Sequence, residues 1–190
     1  MPKIILATTS YYRIETFRYL SIPFEAEGSK VDESQIERNK PEELVKQLSK
    51  LKAEAVAKNY SDAIVIGMDS VAYFNGQIFE KPKSKEEDFQ RLKALSGKNH
   101  QFYTGIHIIN KATNKTLSKI VTTDVFMREL SDEEISKYLD EDPYFNTYAL
   151  GYDPVKHISS SFIQKIEGSY YNLLAGMPLE IIIEMLREIG

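Results

Sequence analysis

At 190 residues the chain is long enough to bury a core, as one domain or as two closely associated lobes. Its hydrophobic fraction of 42% and charged fraction of 27% belong to an ordinary globular protein, which sets aside disordered and fibrous classes. The formal charge of -4, with basic residues dispersed among acidic ones, disfavours a nucleic-acid polymer as partner and leaves a small anionic ligand open.

Cysteine is absent, which removes disulfides, zinc-cysteine sites and thiol catalysis and fits a reducing compartment. The run Ile4-Ile5-Leu6-Ala7 is too short for a signal segment, and no stretch of about 18 apolar residues occurs. A cytoplasmic protein with no membrane partner is expected.

Lys3 to Ala7 reads as a buried strand, followed by the polar turn Thr8-Thr9-Ser10 and a helix carrying Ile14, Phe17 and Leu20 on one face. Pro41 opens a second helix with a stripe of Leu44, Leu48, Leu51, Ala55 and Val56. Ala63-Ile64-Val65-Ile66 has the pattern of a strand covered on both faces and is expected to end at Gly67-Met68-Asp69. Asn75-Gly76, between Tyr73-Phe74 and Ile78-Phe79, predicts a tight hairpin.

Ser84 with Glu87 resembles a capping box for a helix bearing Phe89, Leu92 and Leu95 and closed by Gly97. Two long strands follow, around Gln101 to Ile109 and Leu117 to Met127. Ser131 and Glu134 open another helix that ends before Pro143, and Pro178 starts a last helix with Leu179, Ile182, Ile183, Leu186 and Ile189 on one face. The alternation predicts an α/β fold with a mixed sheet, with the middle of the chain as a second lobe.

Several residues stand where chemistry could be done. Ser10 precedes a helix start and Arg13 follows one turn later. That is a setting for a phosphate at a helix N-terminus, or for a plain N-cap beside a solvated arginine. Asp69 directly follows Gly67-Met68 at the end of an apolar strand. It could hold a divalent cation or orient a water, or simply terminate a strand.

Hairpin register places Lys81 opposite Ser70, so a cation and the Asp69 carboxylate could meet there, as substrate ligands or as a structural ion pair. Lys52 lies on the margin of an otherwise apolar helical stripe, where lysines either snorkel to water or reach inward to an anion. Asp32-Glu33 could supply a second metal-binding carboxylate. His100, His107 and His157 lack paired-ligand spacing, which argues against zinc. P-loop, dinucleotide-fingerprint and nucleophile-elbow elements are absent.

In chain order, Leu6-Ala7-Thr8-Thr9-Ser10-Tyr11-Tyr12-Arg13, Val31-Asp32-Glu33, Lys52-Ala53 and Gly67-Met68-Asp69-Ser70-Val71 resemble blocks of the Maf family. Glu80-Lys81-Pro82, Leu95-Ser96-Gly97, Tyr103-Thr104-Gly105 and Gly168-Ser169-Tyr170-Tyr171-Asn172 continue the series to Pro178-Leu179. The resemblance spans nearly the whole chain and treats residues 1–190 as one nucleotide pyrophosphatase domain. It implies the elongated Maf and inosine triphosphate pyrophosphatase-like fold, a mixed sheet with two lobes flanking a central cleft.

The implied activity is house-cleaning hydrolysis of a canonical or modified nucleoside triphosphate, pyrimidine among the options, to monophosphate and pyrophosphate. The resemblance makes Asp69 the catalytic carboxylate, with Glu33 assisting at an Mg²⁺ or Mn²⁺ ion that both hold. Lys52, Lys81, Ser10, Arg13 and Ser70 would bind the triphosphate. It also implies a homodimer. The family's association with septum formation offers an alternative, a nucleotide-binding regulator of cell division with little catalysis.

Three features depart from the family pattern. Tyr11-Tyr12 replaces Pro-Arg, Ser70 replaces threonine, and residues 145–153 lack the usual Lys-Ala-Gly-Ala-Tyr-Gly block. Asn172 to Pro178 also carries one residue more than expected.

Overall fold

The apolar run of residues 4–7 within Lys3–Ala7 (β1) and the start of Ala63–Phe74 (β3) pair in parallel with Ala7 opposite Gly67. The structure, a computed structural model, describes residues 2–190. These form two compact units. The first comprises the chain up to Ser70, Tyr103–Val121 and Tyr171–Gly190; the second comprises Val71–Phe102 and Thr122–Tyr170.

The strand order is β2 (Phe24–Ala26), β1, β3, β5 (Asn99–Asn110) and β6 (Lys115–Met127), of which the first unit holds β2, β1 and the portions of β3, β5 and β6 within its segments. Helix α2 (Pro41–Ala57) covers one face, where Ala53, Val56 and Ala57 pack on Ile5, Ala7, Ala63 and Val65. On the other face α1 (Tyr11–Arg18) and α6 (Leu179–Ile189) bring Phe17, Ile182 and Met185 onto Ile4, Leu6, Ile64, Ile66 and Met68. Side chains alternate across a strand, so a strand covered on both faces must be apolar at every position. That is the composition of residues 4–7 and 63–66.

β3 departs from expectation. It does not end at Gly67–Asp69 but runs for 12 residues to Phe74, so Asp69 lies within a strand. Glycine and aspartate are poor strand formers, and here the ladder outweighs local preference. Its far end pairs with β4 (Gln77–Phe79) in the expected register, Phe74 opposite Gln77. Asn75 and Gly76 both take positive φ, 48° and 81°, as a type I′ turn requires. Pairing stops at Phe79, so Lys81 is exposed in the bend beyond the ladder rather than opposite Ser70.

The second unit holds that hairpin, α3 (Lys85–Leu95), α4 (Asp132–Glu141) and β7 (Ile163–Glu167), which pairs antiparallel with the end of β6. Ser131 and Glu134 form a complete capping box on α4. On α3, Ser84 caps the Glu87 amide, but the Glu87 carboxylate turns to the Lys83 amide and to Arg91. The core contains Tyr138 and Tyr152, each packed on Phe162 with ring centroids 5.8 and 6.1 Å away. β2, β7 and α5 (Tyr170–Ala175) have no counterpart in the sequence reading.

The buried face of α3 is Asp88, Arg91, Leu92 and Leu95, rotated from the expected stripe, with Phe89 only half-buried. Asp88 is fully buried, and neither carboxylate oxygen has a hydrogen-bond partner among the described residues. Burial pushes this carboxyl up to about 8; Arg91 opposes the shift, while Glu87 and Asp142 add to it.

The folded chain therefore holds a proton on Asp88 that the unfolded chain gives up near the ordinary carboxylate range. The stability linked to that proton is complete in acid and is lost as pH rises toward about 8. Asp88→Asn, which is always neutral and nearly the same shape, is expected to raise Tm more at pH 8 than at pH 5. Calorimetry at the two pH values checks this, and an equal shift at both would contradict it.

Candidate active site

The register of β1 with β3 sets the Thr8–Ser10 turn beside Met68–Ser70, where β1 and its parallel pairing with β3 end, and α/β sheets place ligands at the carboxyl ends of their strands. Ser10 caps α1, its hydroxyl accepting the Arg13 amide at 3.5 Å, and the Ser10 amide is held by Thr8 Oγ1 at 3.0 Å. The first turn of α1 carries no acidic residue, so nothing there offsets the positive end of the helix dipole. The N-cap reading of Ser10 is thus realised, and an anion at this helix start remains compatible with it.

Asp69 points to the α2 face of the sheet, the same face as Gly67. A side chain at Gly67 would run into the Ser49 carbonyl and come within 2.6 Å of the Ala53 amide. The bare glycine is what lets α2 approach β3 so closely. Lys52, on the margin of the apolar stripe of α2, is thereby carried over the strand and donates to Asp69 Oδ1 at 2.6 Å. The same ammonium lies 3.0 Å from Glu33 Oε1.

Gly67→Ala is expected to cost about 1–3 kcal/mol through overpacking against rigid backbone. It should lower activity beyond the stability loss, because the Lys52–Asp69 distance is set there. A thermal melt together with an activity assay checks both, and a neutral effect on both would contradict the close-approach argument.

Lys52, Asp69 and Glu33 form one charged cluster. The Lys52 and Asp69 side chains are 16% and 13% exposed, while Glu33 is 37% exposed, so the cluster has a dry side and a wet side. Burial raises Asp69 above the ordinary carboxylate range; Lys52 and then Arg13 pull it back down, and Glu33 pushes it further up. Of the acidic pair at 32–33, only Glu33 faces Lys52. Asp32 is exposed, and its carboxylate accepts the Ser34 amide at 2.9 Å, which holds it below its usual range.

Arg13 is the second cation near Asp69. Its guanidinium donates to the Met68 carbonyl at 2.9 Å, to Ser70 Oγ at 2.8 Å and to the Gly176 carbonyl at 3.3 Å. Ser70 Oγ in turn shares a 2.7 Å hydrogen bond with Thr104 Oγ1, and Thr104 is fully buried. Thr104 and Gly176 had no functional reading in the sequence. Thr104 was visible only within a family block, and nothing in the spacing marks Gly176.

The cluster therefore unites Glu33, Lys52 and Asp69, with Ser10 just past the end of β1 and Arg13 hydrogen-bonded to Ser70, the next residue along β3. Lys81 belongs to the second unit. So does the divergent segment 145–153. The Tyr148 hydroxyl donates to Asp153 Oδ2 at 3.2 Å, and the Asp153 amide donates to the Tyr138 hydroxyl at 3.1 Å.

The residues present fit a divalent cation of the magnesium or manganese kind. Two carboxylate oxygens already converge on one positive charge, the Lys52 ammonium, and both are hard oxygen donors. No group of three or more His, Cys, Asp or Glu side chains with metal-binding geometry occurs among the described residues. Such an ion would complete its shell with water and phosphate oxygens, the usual habit of Mg²⁺. No helix among the described residues is long and apolar enough to cross a membrane.

Similarity to known proteins extends over nearly the whole chain. Residues 3–189 match a family model described as Maf-like protein. The chain is 37% identical over 189 residues to a protein of Syntrophus aciditrophicus named dTTP/UTP pyrophosphatase, covering 99% of this chain and 90% of that one. It is 34% identical over 190 residues to a protein of Nitrosococcus oceani named 7-methyl-GTP pyrophosphatase, covering 100% and 94%. In fold it is similar to a HAM1 protein from Coxiella burnetii, with a TM-score of 0.56 at 17% identity over 99% of this chain and 100% of the other.

Proposed function

Because this chain belongs to the Maf-like protein family, we propose that it hydrolyses a nucleoside triphosphate to nucleoside monophosphate and pyrophosphate. The observation that carries the proposal is the Lys52 ammonium bridging Asp69 at 2.6 Å and Glu33 at 3.0 Å on the edge of a buried strand. A cation bracketed by two carboxylates is a device for handling a polyanion and a water together.

Asp69 is the general base. Its desolvated carboxylate, held above the usual range by burial, takes the proton of the attacking water as the water oxygen bonds to the α-phosphorus. Pyrophosphate departs with the electron pair of the broken anhydride bond. Lys52 keeps Asp69 ionised before the reaction and neutralises phosphate charge during it. Glu33 and Asp69 hold the divalent ion, which when bound supplies charge stabilisation to the phosphate oxygens. Ser10 and the start of α1 receive the phosphate chain.

Lys81 is proposed as a further phosphate ligand on its sequence motif alone. The two units are proposed to work as one catalytic domain. Cytoplasmic location and a homodimeric state are proposed on the family resemblance.

The test is pyrophosphate release from a nucleotide panel with Mg²⁺ or Mn²⁺. The panel includes dTTP, UTP and 7-methyl-GTP, the nucleotides in the relatives' names. Pyrophosphate, not orthophosphate, is the expected product. Orthophosphate alone, or binding without turnover on every nucleotide, would defeat the reading, and the second outcome would favour a regulator.

A further inference from the structure

We propose that Arg13 is a positioning residue that bolts the catalytic strand in place from behind, rather than a ligand of the triphosphate. The inference rests on the pyrophosphatase reading.

Strand alternation carries the argument. Ile64, Ile66 and Met68 pack on the α1–α6 side of the sheet, whereas Gly67 faces α2 and Asp69 meets Lys52 of α2. Ser70, one residue past Asp69, returns to the α1 side and there meets Arg13. The guanidinium thus grips the strand on the face opposite the Asp69 carboxylate, and grips it on both sides of that residue, at the Met68 carbonyl and at Ser70 Oγ.

The remaining contacts extend the clamp. Nε holds the Gly176 carbonyl in the turn between α5 and α6, and Ser70 passes the link to buried Thr104 on β5. Gly176 sits at φ 60°, and a side chain there would collide with Ser70 Oγ and approach Arg13 Nη2 at 3.1 Å. The turn is shaped around the clamp. Three of the five guanidinium N–H groups are spent on protein acceptors in a planar fork that a lysine cannot reproduce.

The test uses the full chain, with Arg13→Lys and Arg13→Ala compared for turnover and for binding. Binding is measured calorimetrically with a non-hydrolysable α,β-methylene nucleoside triphosphate. A strand displaced by even 1 Å loses turnover steeply, so kcat is expected to fall roughly tenfold or more in both variants. The analogue's Kd should change by less than about threefold, and lysine should not rescue, since it keeps the charge and loses the fork.

Rescue by lysine, or a Kd that weakens in step with kcat/KM, would overturn the proposal in favour of a phosphate ligand. Amide exchange supplies a readout independent of turnover. Faster exchange at Asp69, Ser70 and Gly176 in the variants is expected, and unchanged protection would overturn the clamp even if the wild type hydrolysed no nucleotide. A wild type without activity defeats the pyrophosphatase reading, while exchange still decides the clamp.

If the Arg13 variants fail to fold, Thr104→Val takes their place. It is close in shape, removes only the far hydrogen bond, and touches no substrate. A lower kcat with unchanged Kd and faster Ser70 exchange supports the clamp. Unaltered kcat and exchange overturn it.

Discussion

Asp69→Asn is expected to lower pyrophosphate release by roughly 10²- to 10⁴-fold, the range for losing a positioned general base. The amide oxygen can still accept from Lys52, but it cannot take a proton from water at neutral pH. The variant should fold, because the substitution preserves shape and the Lys52 ammonium keeps Glu33 as a partner at 3.0 Å. Removing one buried negative charge also relieves the desolvation that raises Asp69 in the wild type. The loss should therefore fall on kcat with Tm held or slightly raised. Turnover within tenfold of wild type, in a correctly folded protein, would remove Asp69 from the catalytic role.

How far this site could be read from the sequence varies with the kind of interaction. The helix starts at Ser10, Pro41, Ser84 and Ser131 and the Asn75-Gly76 turn were legible because caps and tight turns are local chemistry. Lys52 stood out for a related reason, as a charge on the edge of an apolar stripe. Its partners could not be read, since its meeting with Asp69 depends on how closely α2 approaches Gly67, which is a matter of tertiary packing.

The end of β3 is not legible, because Gly67 and Asp69 look like breakers when ladder partners are invisible. The inward face of α3 differs from the apolar stripe because Asp88 and Arg91, both polar by composition, are buried while Phe89 is only half-buried. β2, at three residues, is too short to carry a periodic signal, and its place beside β1 is a long-range fact. Arg13 shows the same limit from the other side. Its motif suggested an anion partner, whereas its acceptors are carbonyls 55 and 163 residues away in sequence and a hydroxyl 57 away.

Lys52→Met should be nearly as damaging as the loss of Asp69, by a different route. Methionine keeps the length and apolar stem that α2 packs, so folding should survive, but the two carboxylates are left without the cation between them. Lys52 is the largest influence pulling Asp69 down against burial, so its removal lets Asp69 rise further, with the Glu33 charge adding to the rise.

A base that holds its proton to higher pH is idle over more of the acid range. The acid limb of the kcat/KM profile is therefore expected to move to higher pH, and kcat/KM near pH 7 to fall roughly 10²-fold as phosphate stabilisation is lost too. Lys52→Arg, which retains charge in a bulkier fork, should keep the acid limb near its wild-type position even if its rate is low. If Lys52→Met instead leaves the acid limb in place and alters only KM, the ammonium serves as a phosphate ligand without tuning Asp69. The coupling between the two side chains, short as their contact is, would then be structural.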